Sequence, residues 1–395
     1  MAGFAAPGRC VAVDGPGGSL ARVAPALALA PASTEKLLTG AAALAVLGAN
    51  HTFTTEITTT ARVSDGVVHG DVYLVGGGDP VLATPARRAQ LGATPQTASA
   101  PTTDLDDLAS ALARAGVHQV DGAIVADDGR FDTVRYLPSL KPSERSDIGP
   151  LGALTVDEGR AENGAPADDP ALLTANALDP LLASHDVTVD GSTTRGSQPP
   201  AAHVLARVQS PRLDKIVENM LTVSDNYTAE MLVRSVGVAV GHEGTTSTGL
   251  RAVVATLQRL GVPTAGVQLV DGSGLSPNDR VTCPALLAAV NLGARPATRA
   301  LRDGLPIAAQ TGTLAARFLG DPLAGKLRAK TGHIDGVVGL AGVVPTADGP
   351  LTFAFIANGD FSTAGGDSLQ DDVAHLVASY PVVPDPAALV PAPLA

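Results

Sequence analysis

Apolar residues recur at helical spacing in six segments of the chain, and each segment predicts an amphipathic helix. In the first, residues 35–47, the apolar positions that share one face are Leu37, Leu38, Ala41, Leu44 and Leu47. The other segments are residues 103–115, 213–222, 229–238, 246–260 and 368–379. The pattern therefore predicts helices along the whole length of the chain.

Strand-like segments lie at both ends of the sequence. GRCVAVD and residues 19–25 flank the turn sequence GPGG, and KLRAK, DGVVGLAGVVPT and PLTFAFIAN near the other end are joined by short turns. Two N-terminal and three C-terminal strands, with helices between them, could form one antiparallel sheet that is covered by helices. The two ends of the chain would then meet in a single domain.

The pattern changes at about His51. TFTTEITTTARV and GDVYLVGG alternate apolar and polar residues as strands do, and DGAIVADD is a further strand-like segment. Residues 135–200 are rich in Pro, Gly, Asp and Ser and have weak periodicity, which predicts loops and short elements. Because apolar clusters recur there, we interpret the region as part of an inserted domain and not as disorder.

The 395 residues, 45% of them apolar, are enough for a large core and for two or three domains. The net charge of −12 and the lack of a basic run argue against a nucleic-acid partner. No stretch reaches the roughly 18 consecutive apolar residues of a membrane-spanning helix. The first residues lack the pattern of a secretory signal, so either a signal peptide has been removed or the natural protein starts elsewhere.

Two cysteines, Cys10 and Cys283, are too few for a disulfide scaffold or a structural zinc site. They could form one long-range disulfide, and two buried free thiols are an equal alternative. The histidines show no metal-binding spacing, so that no metal or cofactor is expected.

Three short motifs follow one another along the chain: Ser33-Thr34-Glu35-Lys36, Ser224-Asp225-Asn226 and Lys330-Thr331-Gly332. Each alone has an ordinary structural explanation: a helix cap with a solvated lysine, a capping turn between helices, and a turn at a strand end. Together and in this order they match the S-x-x-K, S-D-N and K-T-G motifs of class A β-lactamases and penicillin-binding proteins. Three coincidences would be needed to explain them structurally, so the catalytic interpretation is favoured.

The residue types in these motifs suit nucleophilic catalysis. A serine hydroxyl needs an adjacent base near neutral pH, and a lysine serves as that base when burial or a neighbouring cation lowers its pKa. Ser33 is therefore the expected nucleophile, Lys36 its base and Lys330 the second cation. Ser224 would relay a proton to the leaving amine, Asn226 would hold the substrate amide, and the K-T-G strand would pair with an extended substrate.

Longer stretches extend the match over nearly the whole chain. They are PASTEKLLTGAAAL, GDVYLVGGGDP, DGAIVADDGRFD, IGPLGALTVDEG, LTVSDNYTAEMLVR, VDGSGLS and QTGTLAARF. In this order they resemble the low-molecular-weight class C penicillin-binding proteins, the D-alanyl-D-alanine carboxypeptidases and endopeptidases of peptidase family S13. The resemblance implies an α/β (α+β) fold, in which a β-lactamase/transpeptidase-like domain with a five-stranded antiparallel sheet and flanking helices is interrupted by an inserted mixed α/β domain. The expected boundaries are 1–50 with 204–395 for the catalytic domain and 51–203 for the insert.

The same resemblance implies a serine D-Ala-D-Ala carboxypeptidase or endopeptidase that acts on peptidoglycan stem peptides and is acylated on Ser33 by β-lactam antibiotics. Such an enzyme works outside the cytoplasmic membrane, as a secreted, periplasmic or cell-wall associated protein. Thr331, Gly332 and His333 are expected to bind substrate, with Thr331 and His333 on its terminal carboxylate, and Asp128 is a candidate contact for its free amino group. Backbone N–H groups of Ser33 and of a residue near His333 would form the oxyanion hole.

Some positions depart from the family pattern. The residue after K-T-G is usually Thr or Ser, and here it is His333, whose imidazole binds a carboxylate best when protonated. We therefore expect weaker or pH-dependent binding of the carboxylate. The Arg that family members often carry after DGSGLS is replaced by Pro277, so the preferred diamino acid of the stem peptide is not specified. Asp127 and Asp132 lie near Asp128, and an exposed acidic turn is the alternative explanation for at least two of these three.

Two other functions stay open at this stage. His333 and Pro277 are compatible with a cell-wall binding protein that no longer turns its ligand over. A β-lactamase or esterase on the same fold is disfavoured because class A β-lactamases use a deacylating glutamate, usually in E-x-x-L-N. The nearest sequence here, EGRAEN from Glu158, has different spacing and no leucine.

Overall fold

The structure, a computed structural model, describes residues 8–382. In chain order the strands are β1 (Arg9–Gly15), β2 (Gly18–Val23), β3 (Ala28–Leu29), β4 (Thr54–Thr59), β5 (Val63–Ser64), β6 (Val67–Val68), β7 (Val72–Val75), β8 (Leu82–Ala83), β9 (Thr103–Asp104), β10 (Gln119–Val120), β11 (Ile124–Asp127), β12 (Thr188–Val189), β13 (Thr194–Arg195), β14 (His203–Gln209), β15 (Val281–Thr282), β16 (Arg328–Ile334), β17 (Val337–Thr346) and β18 (Gly349–Asn358). The α-helices are α1 (Lys36–Leu47), α2 (Pro85–Gly92), α3 (Leu105–Arg114), α4 (Pro170–Ser184), α5 (Leu213–Val223), α6 (Asn226–Gly241), α7 (Thr246–Leu260), α8 (Cys283–Leu292), α9 (Ala300–Asp303) and α10 (Thr363–Ala378). Short 3-10 turns are Ala32–Glu35, Pro142–Asp147, Asp157–Gly159, Pro296–Thr298 and Gly312–Leu314.

The chain divides into two compact units. The first comprises the described residues up to Ala49, Val217–Val236 and those from Gly249 onward, and the second comprises Asn50–Ile216 and Gly237–Thr248. The sequence-based boundary at residues 203 and 204 falls at the start of β14. The structure keeps β14 in the second unit because this strand pairs along its length with β4.

The first unit contains a five-stranded antiparallel sheet with the order β16-β17-β18-β1-β2. β1 lies against β18 from the pair Arg9 and Ala357 to the pair Asp14 and Thr352. β17 lies between β16 and β18, again antiparallel to both. Two N-terminal and three C-terminal strands therefore form one sheet, as the sequence predicts, and the predicted α/β fold class is confirmed.

The two faces of this sheet are covered by different helices. Val11 of β1 shares a hydrophobic cluster with Leu369 and Val373 of α10. Successive residues of a strand point to opposite faces, and Cys10, beside Val11, is bonded to Cys283 at the start of α8. The sheet is therefore a central layer between α10 on one side and α8 on the other.

The bond between Cys10 and Cys283 is a disulfide, with a Cα–Cα distance of 5.9 Å and a sequence separation of 273 residues. Of the two alternatives that the sequence leaves open, the structure has the bridge. A cross-link between such distant residues restricts the unfolded chain and is typically worth about 2 to 5 kcal/mol to the folded state.

The second unit contains two mixed sheets. One has the order β13-β11-β7-β4-β14, and the other has the order β12-β10-β6-β5. Leu108 of α3 and Leu178 of α4 pack in one hydrophobic cluster with Ile57 of β4 and Leu74 of β7. This unit thus has a core of its own.

Four of the described α-helices were not predicted: the short helices α2 and α9, and the longer helices α4 and α8. α4 lies within residues 135–200, which the sequence analysis interprets as loops and short elements. Pro180 inside α4 removes a backbone donor and masks the helical pattern, but burial of Leu178 and Leu182 and an N-cap at Asp169 support the helix. α8 is apolar on nearly all sides and therefore shows little periodicity. No helix within residues 8–382 is long and apolar enough to span a membrane.

Candidate active site

Ser33 lies in the 3-10 turn Ala32–Glu35, which continues directly into α1. Two glycines allow other backbone segments to approach this turn closely. A Cβ atom on Gly332 of β16 would lie 2.7 Å from the carbonyl oxygen of Pro31, and one on Gly274 would lie 2.0 Å from the first carbonyl oxygen of the turn. Gly332 lies within β16 and not at a strand end, so the glycine of the K-T-G motif serves close packing beside the serine.

Lys36 is fully buried, and its side chain returns toward Ser33. Its Nζ lies 2.9 Å from Ser33 Oγ, 2.7 Å from Asn226 Oδ1 and 2.7 Å from the carbonyl oxygen of Ser273. The last two oxygens only accept hydrogen bonds, so a neutral amine that donates to both keeps its lone pair for the Ser33 proton. Burial lowers the pKa of Lys36 to about 8, against the opposing effect of nearby carboxylates, Asp271 first. The amino group can therefore act as a base near neutral pH.

Ser224 and Asn226 lie at the corner between α5 and α6. Ser224 has a φ of +63°, a left-handed conformation that is uncommon for a serine. Asp225 supports the corner, because its carboxylate accepts hydrogen bonds from the backbone N–H of Thr228 at 3.1 Å and from the Thr228 hydroxyl at 2.5 Å. The strained turn orients the side chains on either side of Asp225 toward the two buried lysines of the site.

Lys330, on β16, is the second fully buried lysine. Its Nζ donates hydrogen bonds to Ser224 Oγ at 2.9 Å and to the carbonyl oxygen of Thr331 at 2.8 Å. Burial, and then the charge of Lys36, hold the pKa of Lys330 well below its usual range. Lys330 therefore gives up its proton more readily than an exposed lysine does.

The structure thus brings together the five residues predicted to be catalytic, in two serine–lysine pairs within the first unit. The list is Ser33, Lys36, Ser224, Asn226 and Lys330. Within each pair the lysine amine and the serine hydroxyl lie at hydrogen-bond distance, and Lys36 also contacts Asn226, an arrangement that suits acyl transfer.

The predicted substrate-binding residues of the K-T-G segment lie on β16, an outer strand of the sheet. The Thr331 hydroxyl donates a hydrogen bond to the Thr313 hydroxyl at 2.7 Å. The side chain of His333 is a third exposed, with Nδ1 3.9 Å from Asp367 Oδ1. An outer strand can pair with an extended peptide through its backbone groups.

Four buried carboxyl groups lie near Lys36, and the sequence analysis did not recognise them as a group. They are Glu35, Glu230, Asp271 and Asp279. Oxygen atoms of Glu35, Asp271 and Asp279 lie within 4.8 Å of one another, a spacing that a metal ion could also bridge. The stretches VDGSGLS and NYTAEML carry two of these residues, but their spacing along the chain gives no sign that the side chains meet.

Burial raises the pKa values of these groups. The pKa of Glu35 lies well above its ordinary value, also because Asp279 is close. The pKa of Asp279 is raised to about 8 and that of Glu230 to about 7, in both cases by burial first and by the charge of Asp271 second. Protonated forms are therefore favoured on the inner side of Lys36.

Asp128 belongs to the second unit, where it is buried and paired with the guanidinium groups of Arg135 at 2.9 Å and Arg195 at 3.2 Å. Asp127 is buried too and accepts hydrogen bonds from the backbone N–H groups of Gly129 and Gln198. The alternative explanation of an exposed acidic turn is therefore wrong for these two residues. A substrate contact at Asp128 stays a prediction.

The comparison with protein families gives a match over most of the chain. Residues 17–167 and 152–380 match the D-Ala-D-Ala carboxypeptidase 3 (S13) family. A D-alanyl-D-alanine carboxypeptidase of Actinomadura sp. (strain R39) is 31% identical, over 89% of this chain and 77% of the relative. A carboxypeptidase of Mycobacterium tuberculosis is 36% identical, over 84% of this chain and 71% of the relative.

Solved structures agree with the fold. A crystal structure of penicillin binding protein 4 (dacB) from Haemophilus influenzae superposes with a TM-score of 0.76 at 21% identity, covering 90% of this chain and 92% of that chain. A second structure of that protein, complexed with a β-lactam, has a TM-score of 0.75 at 20% identity and covers 94% of this chain and 96% of that chain. At these identities the likeness concerns the fold.

Proposed function

Because the chain belongs to the D-Ala-D-Ala carboxypeptidase 3 (S13) family, we propose that it is a serine D-Ala-D-Ala carboxypeptidase that works through an acyl-enzyme on Ser33. The observation that carries the proposal is the contact of Lys36 Nζ with Ser33 Oγ at 2.9 Å, in a fully buried position. A serine beside a lysine that can lose its proton near neutral pH is an activated nucleophile.

In the acylation step, Ser33 Oγ attacks the carbonyl carbon of the penultimate D-alanine while neutral Lys36 takes the hydroxyl proton. The tetrahedral intermediate then collapses, the peptide C–N bond breaks, and the leaving D-alanine amine takes up a proton. Ser224, hydrogen-bonded to Lys330, is the group we assign to deliver that proton, and it receives in exchange the proton that Lys36 took from Ser33. Water, which gives a proton to Lys36, then attacks the Ser33 ester. This step releases the shortened peptide and restores the serine.

Charge on the intermediate needs donors that are fixed before the reaction. We assign the oxyanion hole to the backbone N–H groups of Ser33 and of a residue near His333. Asn226 then holds the amide of the acyl portion. Thr331 and His333 face the terminal carboxylate, and Gly332 keeps the strand close to Ser33.

The proposed substrate is the stem peptide of peptidoglycan, and β-lactam antibiotics are the proposed inhibitors. A β-lactam opened by Ser33 keeps its amine tethered to the acyl group, so its adduct should be long-lived. We place the protein outside the cytoplasmic membrane, where peptidoglycan lies. The disulfide between Cys10 and Cys283 supports this location, because such bonds persist in oxidising compartments.

The test is to incubate the protein with benzylpenicillin and follow the mass of the Ser33 peptide with time. We expect a stable adduct on Ser33, absent in Ser33→Ala, and release of D-alanine from a stem-peptide mimic. Rapid loss of the adduct would indicate a β-lactamase instead. No adduct and no D-alanine would indicate a cell-wall binding protein without turnover.

A further inference from the structure

The buried carboxyl groups behind Lys36 outnumber the neighbouring cations that could neutralise their charge. Both oxygens of the Glu35 carboxyl group and Oδ2 of Asp279 are buried and have no hydrogen-bond partner among the described residues. Asp279 Oδ1, by contrast, accepts from the backbone N–H of Val270 at 2.5 Å. A buried carboxylate without a donor is strongly unfavourable, whereas a protonated carboxyl group can itself donate.

Asp271 differs from these two. Its carboxylate accepts hydrogen bonds from the backbone N–H groups of Ser273, Gly274 and Ser276 at 3.1, 2.6 and 2.7 Å. Such donors stabilise the ionised form. The negative charge of the cluster is therefore concentrated on Asp271, and a second ionised carboxylate within 4.8 Å of it would be repelled.

The charged and titratable groups that face Glu35 are Asp279, Asp271, Glu230 and Lys36, and Arg234 faces Glu230 in turn. Four carboxyl groups thus meet two cations in a buried region. At least part of the excess negative charge must be removed by bound protons.

From this arrangement we propose that Glu35 and Asp279 share a proton in the active enzyme, and that Glu35 is a positioning residue that controls the charge of Lys36. While the pair holds its proton, Lys36 can be neutral and accept the Ser33 proton. Loss of that proton places a further negative charge beside Lys36, which favours the ammonium form and slows acylation. The raised pKa values of both carboxyl groups agree with this assignment. The effect on Lys36 rests on the proposed function, but the shared proton does not.

The test is the pH profile of the rate of benzylpenicillin acylation for the wild type, Glu35→Gln and Asp279→Asn. Each substitution imitates one protonated carboxyl group, so we expect rates within about threefold of wild type at neutral pH. Above about pH 8, both variants should reach a plateau at a pH roughly one unit lower than the wild type, since the added charge never forms. Glu144→Gln, at an exposed helix turn in the second unit, is the matched control and should follow the wild type.

Three results would overturn the proposal. One is a pH profile of Glu35→Gln that superimposes on the wild type up to about pH 10. Another is a loss of more than about 100-fold at neutral pH in a folded variant, which would mean that Glu35 acts as a carboxylate. The third is a stoichiometric divalent cation in the purified protein by elemental analysis, with loss of acylation on chelation.

An infrared measurement on the wild type keeps the proposal testable should the variants not fold. We expect the absorption of a protonated carboxyl group at neutral pH that disappears on the alkaline side, and its absence would refute the shared proton. This measurement needs no substrate. A wild type that penicillin never acylates would therefore refute the proposed function, while the infrared band would still decide the carboxyl pair.

A separate contact supports a second inference, that Thr313 binds the terminal carboxylate of the substrate beside Thr331. Because the Thr331 hydroxyl donates to Thr313 Oγ1, the Thr313 hydroxyl proton is left for another acceptor. Thr313 is exposed in the turn Gly312–Leu314. A Cβ atom on Gly312, whose φ is +56°, would lie 2.0 Å from the carbonyl oxygen of Thr222, so the turn is packed against the end of α5. Thr313 thus offers a fixed hydroxyl beside Thr331 of the K-T-G segment.

The test compares two D-alanyl thioesters. In the first, the thioglycolate leaving group has a free carboxylate; in the second, that carboxylate is a methyl ester. This inference also rests on the proposed function. For Thr313→Val we expect kcat/KM to fall about 10-fold or more on the acid and less than about twofold on the ester, because a hydrogen bond to a charged group is lost only with the acid. Thr313→Ser should restore the rate. Equal losses on both esters, or no loss, would refute the contact, whereas a wild type that cleaves neither ester would refute the proposed function itself.

Discussion

Lys36 and Lys330 are both fully buried, and each lies 2.9 Å from a serine hydroxyl, yet the charges around them differ. Carboxyl groups oppose the effect of burial at Lys36, whose pKa is about 8. At Lys330 the charge of Lys36 adds to the effect of burial and lowers the pKa further. The comparison shows that neighbouring charges can either oppose or reinforce the effect of burial on the pKa of the same residue type in the same hydrogen-bonding role.

The strongest way to test the difference is to remove the base itself. In Lys36→Met we expect penicillin acylation of Ser33 to fall by about 10³-fold or more, because general base catalysis and the nucleophile's hydrogen bond are both lost. The mass of the Ser33 peptide over time gives the rate. Lys141→Met, at a side chain that is 75% exposed in the second unit, is the control and should react as the wild type does. A loss below about 10-fold would assign the base to another group.

Removal of Lys330 should have a smaller effect of a different kind. Lys330→Met breaks the hydrogen bond to Ser224, and we expect acylation to fall by roughly 10²-fold. The acid limb of the pH profile should stay in place, because a neutral amine exerts little field on Lys36. A shift of that limb toward higher pH would mean that Lys330 carries charge beside Lys36 in the free enzyme, and the comparison would then fail.

The raised pKa values of the carboxyl groups near Lys36 should also make the free energy of unfolding depend on pH. The folded pKa values of Asp279 and Glu230, about 8 and about 7, exceed their ordinary values. At a pH between the ordinary and the folded pKa of each group, the folded state therefore binds a proton that the unfolded chain has released. Stability should therefore be highest on the acid side of this window and fall as pH rises, by roughly 1.4 kcal/mol per pH unit for each such proton.

Urea unfolding at about pH 5.5 and about pH 7.5 measures that slope. Asp279→Asn should flatten it, and Asp303→Asn, at an exposed ion pair of α9, should leave it unchanged. A slope of Asp279→Asn equal to that of the wild type would show that Asp279 is ionised throughout.

The smallest effect is expected on the Lys330 side, at His333. The imidazole is a third exposed and lies near Asp367, so its protonation should change carboxylate binding only modestly. We expect His333→Thr to remove a few-fold dependence of KM on pH between about 5 and 8, with kcat little changed. If penicillin acylation by the variant kept the wild-type dependence on pH, His333 would have no part in carboxylate binding.

The sequence predicts one side of this comparison well and the other poorly. The apolar segments at residues 335–346 and 350–358, the short turn between them and the turn after Asp14 are local patterns, and the confirmed five-stranded sheet follows from them. Ser33, Lys36 and the two later motifs are likewise visible, because each motif keeps its chemistry within a few adjacent residues.

The surroundings of Lys36 are not local. Glu230 is one polar position on a helix and Asp279 one acidic residue in a loop, and only folding brings them to Glu35. The same holds for Thr313, whose hydroxyl meets Thr331 across two chain segments. Cys10 and Cys283 are a further example. The sequence shows that a disulfide between them is possible, but it does not show that their Cα atoms lie 5.9 Å apart.

The position of β1 between β2 and β18 affects the order in which the protein can mature. During translation β1 and the Ser33 turn are made before the second unit, whereas β18 and the strand that carries Lys330 are made after it. The edge of β1 therefore stays unpaired while the second unit, which is nearly continuous in sequence, is synthesised. An interrupted or prematurely released chain has the nucleophile but lacks both the second lysine and the sheet that supports it. The nucleophile and the second lysine can therefore meet only after the strand that carries Lys330 has been made.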